Sequence, residues 1–210
     1  MLLKQNSTAS VMGFAQYSKK AEIEPAELVA AARNWQKSYL AKQDGILMHA
    51  FVGNLAGEFA DVILASDAAA FANMSQNFSN DESSRTFHSM LDERTIKLTQ
   101  IRLLDNAFQV PTGFSSIEIG KLALSGVDGE EEMLASAAQL KSNYLSRFPE
   151  AKAHVMGHIN GDNYAEVAFA ENIGAGREIC YGYLQDESGQ NFLKHFDQTS
   201  FDLDFWFVLA

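Results

Sequence analysis

The chain has 210 residues, a formal net charge of −11 and one cysteine. An acidic chain with no run of Lys or Arg lacks the clustered cations that phosphate backbones and anionic membrane surfaces require, so neither nucleic acid nor membrane is expected among its partners. A lone Cys180 excludes an intrachain disulfide, residues 1–10 lack the apolar core of a signal peptide, and no run reaches membrane-spanning length, so the expected location is cytoplasmic.

The first half opens on a strand, VMGFAQYS at 11–18, whose apolar positions alternate. Pro25 then stands where a helix begins, with Glu24 and Glu27 at the positive end of its dipole. That helix is expected over 26–42, with Leu28, Ala31, Ala32, Trp35, Tyr39 and Leu40 on one face. Gly45 ends it. A hairpin follows, with strands at 46–52 and 58–65 around a turn at 53–57. Two helical pieces, 67–78 and 84–91, the second capped by Asn80 to Ser83, lead to a last strand at 95–104. Residues 105–115, with Asn106, Pro111 and Gly113, read as a linker.

The second half repeats this order. A strand at 117–124, a turn at 126–129 and a helix over 130–148 come first, the helix led by three glutamates. Strands at 152–159 and 164–170 flank Asn160-Gly161, a strong hairpin dipeptide. Helical pieces at 176–184 and 189–196 precede a final strand at 201–209. The repetition extends to residues at a constant offset of 105: Tyr39 and Tyr144, Leu40 and Leu145, His49 and His154, Ala60 and Ala165, Val62 and Val167, Ala65 and Ala170. Asp81-Glu82-Ser83 recurs as Asp186-Glu187-Ser188, Phe87 as Phe192, Asp92 as Asp197 and Leu98 as Leu203. The chain is a tandem duplication, with expected domains 1–105 and 116–210 joined by the 106–115 linker.

Each copy reads strand-helix-strand-strand-helix-strand, the ferredoxin-like α+β arrangement, with helices on one face of an antiparallel sheet. Two copies in one chain are expected to cover each other as an intrachain, pseudo-dimeric α/β barrel that needs no partner to complete it. Self-association as a homodimer stays open. In its topology, its hairpin segments GEFADVILASDAAAF (57–71) and DNYAEVAFAE (162–171) and its tandem fusion, the chain resembles the dimeric α/β-barrel superfamily. That group includes antibiotic-biosynthesis-type monooxygenases, EthD-like and NIPSNAP-like proteins and the haem-binding chlorite-dismutase group.

Candidate chemistry sits on the hairpins. Alternation divides the first into Ile46, Met48, Ala50 and Val52 on one face and Leu47, His49 and Phe51 on the other. The second divides into Ala153, Val155 and Ile159 against Lys152, His154, Met156 and His158. The apolar set is expected to face the helices, and the histidine set to face a cavity between the domains. Hairpin pairing then sets His49 opposite Asp61 and His154 opposite Glu166, the unit that orients an imidazole as acid, base or ligand. A two-residue turn at Asn160-Gly161 would instead pair His154 with Val167.

His49, Asp61, His154 and Glu166 are thus the catalytic candidates, and a structural pair buried to satisfy itself is the competing reading. His158, Tyr164, Phe51, Met156 and Trp206 are the ligand-contact candidates. His154, His158 and Glu166 share a sheet face that a metal could use, as a minor reading, and no metal or cofactor is expected. His88 falls on a helix roughly where haem-binding members of the superfamily carry a ligand histidine, and an exposed helical histidine is the competing reading. There is no Gly-rich phosphate loop, GxSxG elbow or CxxC pair. The resemblance implies a small apolar or aromatic ligand and a cofactor-independent monooxygenase-like or isomerase-like reaction. A non-catalytic binding or assembly protein is the alternative, and a haem-binding barrel protein a lesser one.

Overall fold

The computed structural model describes residues 1–126 and 129–210. The turn expected at 126–129 falls partly on Val127 and Asp128, outside the described residues. The chain divides into two compact units, Met1–Val110 with Val208–Ala210, and Pro111–Phe207.

The first unit holds β1 (Leu2–Leu3), β2 (Val11–Tyr17), α1 (Pro25–Ser38), β3 (Ile46–Gly53), β4 (Phe59–Ala65), α2 (Ala68–Asn77), α3 (Glu82–Ser89) and β5 (Lys97–Leu103). The second holds β6 (Ser116–Ala123), α4 (Glu130–Asn143), β7 (Ala151–Asn160), β8 (Asn163–Ala170), α5 (Ile173–Gly182), α6 (Glu187–Leu193) and β9 (Asp202–Val208). The strand order is β1-β3-β4-β2-β5 in the first and β7-β8-β6-β9 in the second. Without the short β1 the two orders are the same, and each is the ferredoxin-like order. β1 was not foreseen. It adds an edge through Leu2 opposite His49 and Leu3 opposite Met48.

Matching cap chemistry places the helices. In α1, Glu24 N–H donates to Glu27 Oε2 at 3.0 Å, and in α4 Gly129 N–H donates to Glu132 Oε2 at 3.1 Å. Asp67, Asp81, Asn172 and Asp186 cap α2, α3, α5 and α6, each accepting a backbone N–H with its side chain. The expected long helices each end early and finish in a 3-10 turn, at Leu40–Lys42 and Leu145–Arg147. The hydroxyls of Tyr39 and Tyr144 then reach the carbonyls of Met74 and Ile179, tying the first helix of each unit to the helix after the hairpin. Gly45 turns the chain at φ +73, and a Cβ there would collide with the Ala70 side chain.

In both copies the first hairpin strand carries a bulge, between Ile46 and Met48 and between Ala151 and Ala153. The bulge moves Ile46 to the face that carries His49. In the first unit that face packs on the helices: Phe51, Phe59, Ile63 and Tyr17 join Leu28, Trp35, Met74 and Phe87 in one core cluster. The opposite face, with Met48, Ala50, Val52, Ala60, Val62 and Leu64, is fully buried as well. Among the described residues no helix is long and apolar enough to cross a membrane.

Candidate functional site

In the first unit, the side chains of His49 and Asp61 lie two residues apart diagonally, because His49 pairs with Ile63 and Phe51 with Asp61. The direct His49–Asp61 register expected from the hairpin is therefore corrected to a diagonal one. The side chains still meet. His49 Nε2 lies 2.7 Å from Asp61 Oδ1, and the Tyr17 hydroxyl donates to Asp61 Oδ2 at 2.7 Å. All three residues are buried. Burial, then the Asp61 charge, raises the Tyr17 hydroxyl well above the usual phenol range, so Tyr17 acts as a donor.

The expected face is also corrected. The ring of Trp35, on α1, sits edge-on to His49 at 5.0 Å, so this network faces the helices of its own unit. The expectation held that a helix-packed sheet face tolerates little polarity. Here a carboxylate, an imidazole and a phenol satisfy one another, which removes most of that cost.

Beside the network lies a cavity of about 470 Å³ between the sheet and the helices of the first unit. Tyr17 and Asp61 line it at one end, with Trp35, Phe78 and Phe87 on the helix side. Gly13 and Phe71 line it further along β2, where a Cβ on Gly13 would run into the Phe71 ring. Leu98 and Gln100 of β5 belong to the lining and are exposed. They rim the mouth. The size and the apolar wall with one polar end are those of a small-molecule site.

The second unit repeats the pair, and the cavity described beside it is far smaller. His154 Nε2 lies 2.9 Å from Glu166 Oε1, which also accepts from the Tyr183 hydroxyl at 3.0 Å. His154 pairs with Ala168 and Met156 with Glu166, again a diagonal. The alternative pairing of His154 with Val167 does not form. Glu118 joins this group. Burial and then the neighbouring Glu166 push its carboxyl up to about 8, and Cys180 hydrogen-bonds to it. Burial and the same two carboxylates push the Cys180 thiol up, away from the reactive thiolate. The cavity left here is about 20 Å³, the room of one water.

The remaining sequence candidates lie elsewhere. The His158 ring contacts the Gly161 carbonyl at 2.9 Å, at the hairpin turn, and does not join His154 and Glu166. Tyr164 donates to Glu130 Oε2 at 3.1 Å. Phe51 stacks on Phe59, Met156 is buried beside Glu166, and Trp206 is buried opposite Ile117. None of these five lines the larger cavity. Among the described residues, no cluster of three or more His, Cys, Asp or Glu could hold a metal ion. The sequence reading missed Tyr17, Trp35 and Phe71 in the first unit and Glu118 and Tyr183 in the second. A signal existed in the mismatches between copies: Tyr17 stands where the second copy has Leu122, and Glu118 where the first has Gly13.

The sequence matches no family model and no curated protein. Solved structures do match. A candidate monooxygenase from Lactobacillus acidophilus superposes with a TM-score of 0.69 at 10% identity, over 96% of this chain and 95% of that one. An anthrone oxidase-like protein superposes at 0.62 and 10% identity, over 99% and 94%. A heme-binding protein from Thermus thermophilus superposes at 0.61 and 10% identity, over 99% and 94%. These likenesses extend over nearly the whole chain and show a shared α+β fold. At this identity the likeness carries the fold and not the chemistry.

Haem is tested by the lining itself. A haem needs an axial ligand, and its propionates favour cations. His88 is the one imidazole among the described lining residues. It sits half-exposed, edge-on to Phe78, with its Nδ1 3.7 Å from Glu93. No Lys or Arg is among the described lining residues. The described lining of the first unit's cavity does not fit a haem.

Proposed function

We propose that this protein binds a small, largely apolar or aromatic molecule in the cavity of its first unit, with Asp61, Tyr17 and His49 at the polar end. The observation that carries the reading is the cavity of about 470 Å³ that ends on a buried carboxylate. An apolar wall supplies most of the binding free energy, and a few placed polar groups set orientation. The fold neighbours described as an anthrone oxidase-like protein and a candidate monooxygenase support a reaction on such a guest.

A carboxylate held by Tyr17 and His49 accepts a proton from a hydroxyl or an activated carbon of the guest. The resulting guest anion is then either oxidised by dissolved dioxygen, which supplies the oxygen atom and takes up the electrons, or reprotonated at another carbon in an isomerisation. In this reading Asp61 is the base, Tyr17 and His49 position it, and His154 with Glu166 have a packing role. A cytoplasmic location belongs to the same proposal.

Two measurements test it. Titration with 1-naphthol should quench tryptophan fluorescence saturably, and the quench should survive Trp206→Phe and vanish in Trp35→Phe. Absence of a saturable signal removes the binding reading. Oxygen uptake with anthrone should fall by about 10²–10⁴ in Asp61→Asn. An unchanged rate removes Asp61 from the chemistry.

A further inference from the structure

We propose that the guest of the first-unit cavity carries a positive charge, as a compact aromatic or aliphatic amine or quaternary ammonium. This rests on the reading of that cavity as the ligand site. Three observations lead to it. First, the charged side chain of the lining is acidic: Asp61 reaches the cavity, and no Lys or Arg is among the described lining residues. Second, the neighbours of Asp61 leave its charge standing. The Tyr17 hydroxyl is a neutral donor. His49 meets Asp61 through Nε2, and its Nδ1 is buried without a partner among the described residues. That is the hydrogen-bonding pattern of a neutral imidazole donating one N–H. A doubly protonated ring would bury an unpaired, charged N–H, which costs considerably more. A carboxylate oxygen accepts more than one donor, so both oxygens retain capacity toward a guest.

Third, the rest of the wall is aromatic. Trp35, Phe71, Phe78 and Phe87 line the same space. Aromatic side chains grouped near a carboxylate are what organic ammonium ions bind, through ring quadrupole and charge together. An anionic guest would meet repulsion from Asp61 with no Lys or Arg among the described lining residues to relieve it. The net charge of −11 adds a long-range field that favours approach of cations.

Three probes of similar ring size decide it by calorimetric titration: 1-naphthylmethyltrimethylammonium, 1-naphthylmethanol and 1-naphthoate. The cation should bind about tenfold more tightly than the alcohol, and the carboxylate most weakly. Asp61→Asn should bring the cation and alcohol to within about threefold of each other. Because that change also disturbs Tyr17 and His49, Leu98→Lys supplies a second arm. Leu98 is 78% exposed at the mouth, so the substitution leaves the core intact. At low salt it should weaken the cation by about threefold more than it weakens the alcohol, and that excess should vanish at high salt. Binding of the alcohol or the carboxylate as tightly as the cation overturns the charge assignment and leaves the cavity reading standing. Failure of all three probes to bind defeats both.

Discussion

The two units share strand order, helix caps and the diagonal His–acid pair, yet one keeps a cavity of about 470 Å³ and the other about 20 Å³. Equivalent positions show how. Where the first copy has Gly13, the second has Glu118; where the first has Phe78, the second has Tyr183; where the first has Trp35 and Tyr17, the second has Leu140 and Leu122. Glu118 and the Tyr183 hydroxyl turn the space beside Glu166 into a network of side chains, and the first unit leaves the corresponding space open to a guest. Duplicating a backbone thus duplicates packing rules and not a site. Gly13 to Glu118 fills space whereas Trp35 to Leu140 and Tyr17 to Leu122 remove bulk, so where the side chains stand, and not their summed volume, decides whether a sheet-helix interface is a core or a pocket.

The largest expected difference between the units is in pH dependence. Glu118 has no titratable counterpart at Gly13. Its carboxyl is raised from 4.5 to about 8 in the folded chain, so folding favours its protonated form. Its contribution to stability is complete below pH 4.5 and is lost as pH rises toward 8. Urea melts should show stability falling across that window by roughly 3–5 kcal/mol through this group, at most about 1.4 kcal/mol per pH unit. Glu118→Gln should flatten the slope. An unchanged slope in that variant would assign the dependence to other groups and weaken the contrast.

A smaller contrast concerns the two histidines. His154→Ala deprives Glu166 of a donor in a space that holds one water at most, and should cost about 2–4 kcal/mol. His49→Ala deprives Asp61 in the same way, but Asp61 borders a cavity where water can replace the imidazole, so about 1–2 kcal/mol is expected. Chemical denaturation of the two variants at neutral pH gives both numbers. An equal or reversed order would mean that the first cavity is as dry as the second unit's core.

How much of this was legible in the sequence differs by level. The duplication, the strand-helix order and the acidic helix starts are written in spacing and residue type, because alternation, apolar stripes and caps are local physics. The sheet face was not legible. The alternation itself holds, with His49 and Phe51 opposite Met48, Ala50 and Val52, and the bulge moves only Ile46 across; which face packs on the helices leaves no local signature, because both faces are buried. The helix-packed face accepted Asp61 because Tyr17, far away in sequence, supplies the second donor. The cavity was not legible either, since it depends on what Gly13, Phe71 and Trp35 fill in three dimensions. Glu118 stands in the sequence as an acid in an apolar strand, but no local pattern shows that it meets Glu166 and Cys180.

The smallest expected difference, and the one that isolates water access from charge, is the pair Tyr17→Phe and Tyr183→Phe. Each removes one hydroxyl that donates to a buried carboxylate, at 2.7 Å to Asp61 and 3.0 Å to Glu166, and leaves the ring to pack. The transfer terms of the two changes are equal, so what remains is the fate of the acceptor. Glu166 keeps His154 alone, and the small cavity bordered by Glu118, His154 and Tyr183 holds one water at most. Asp61 keeps His49 and borders space for several waters. Tyr183→Phe should therefore cost about 1.5–2.5 kcal/mol and Tyr17→Phe about 0.5–1 kcal/mol. The second variant should also lose most of its penalty when a cavity ligand that donates a hydrogen bond is added, because the ligand takes the place of the phenol. Thermal melts of both variants, with and without 1-naphthol, read this out. Equal penalties and no rescue would show that both carboxylates sit in equally closed cores, and the difference between the units would then lie in cavity size alone.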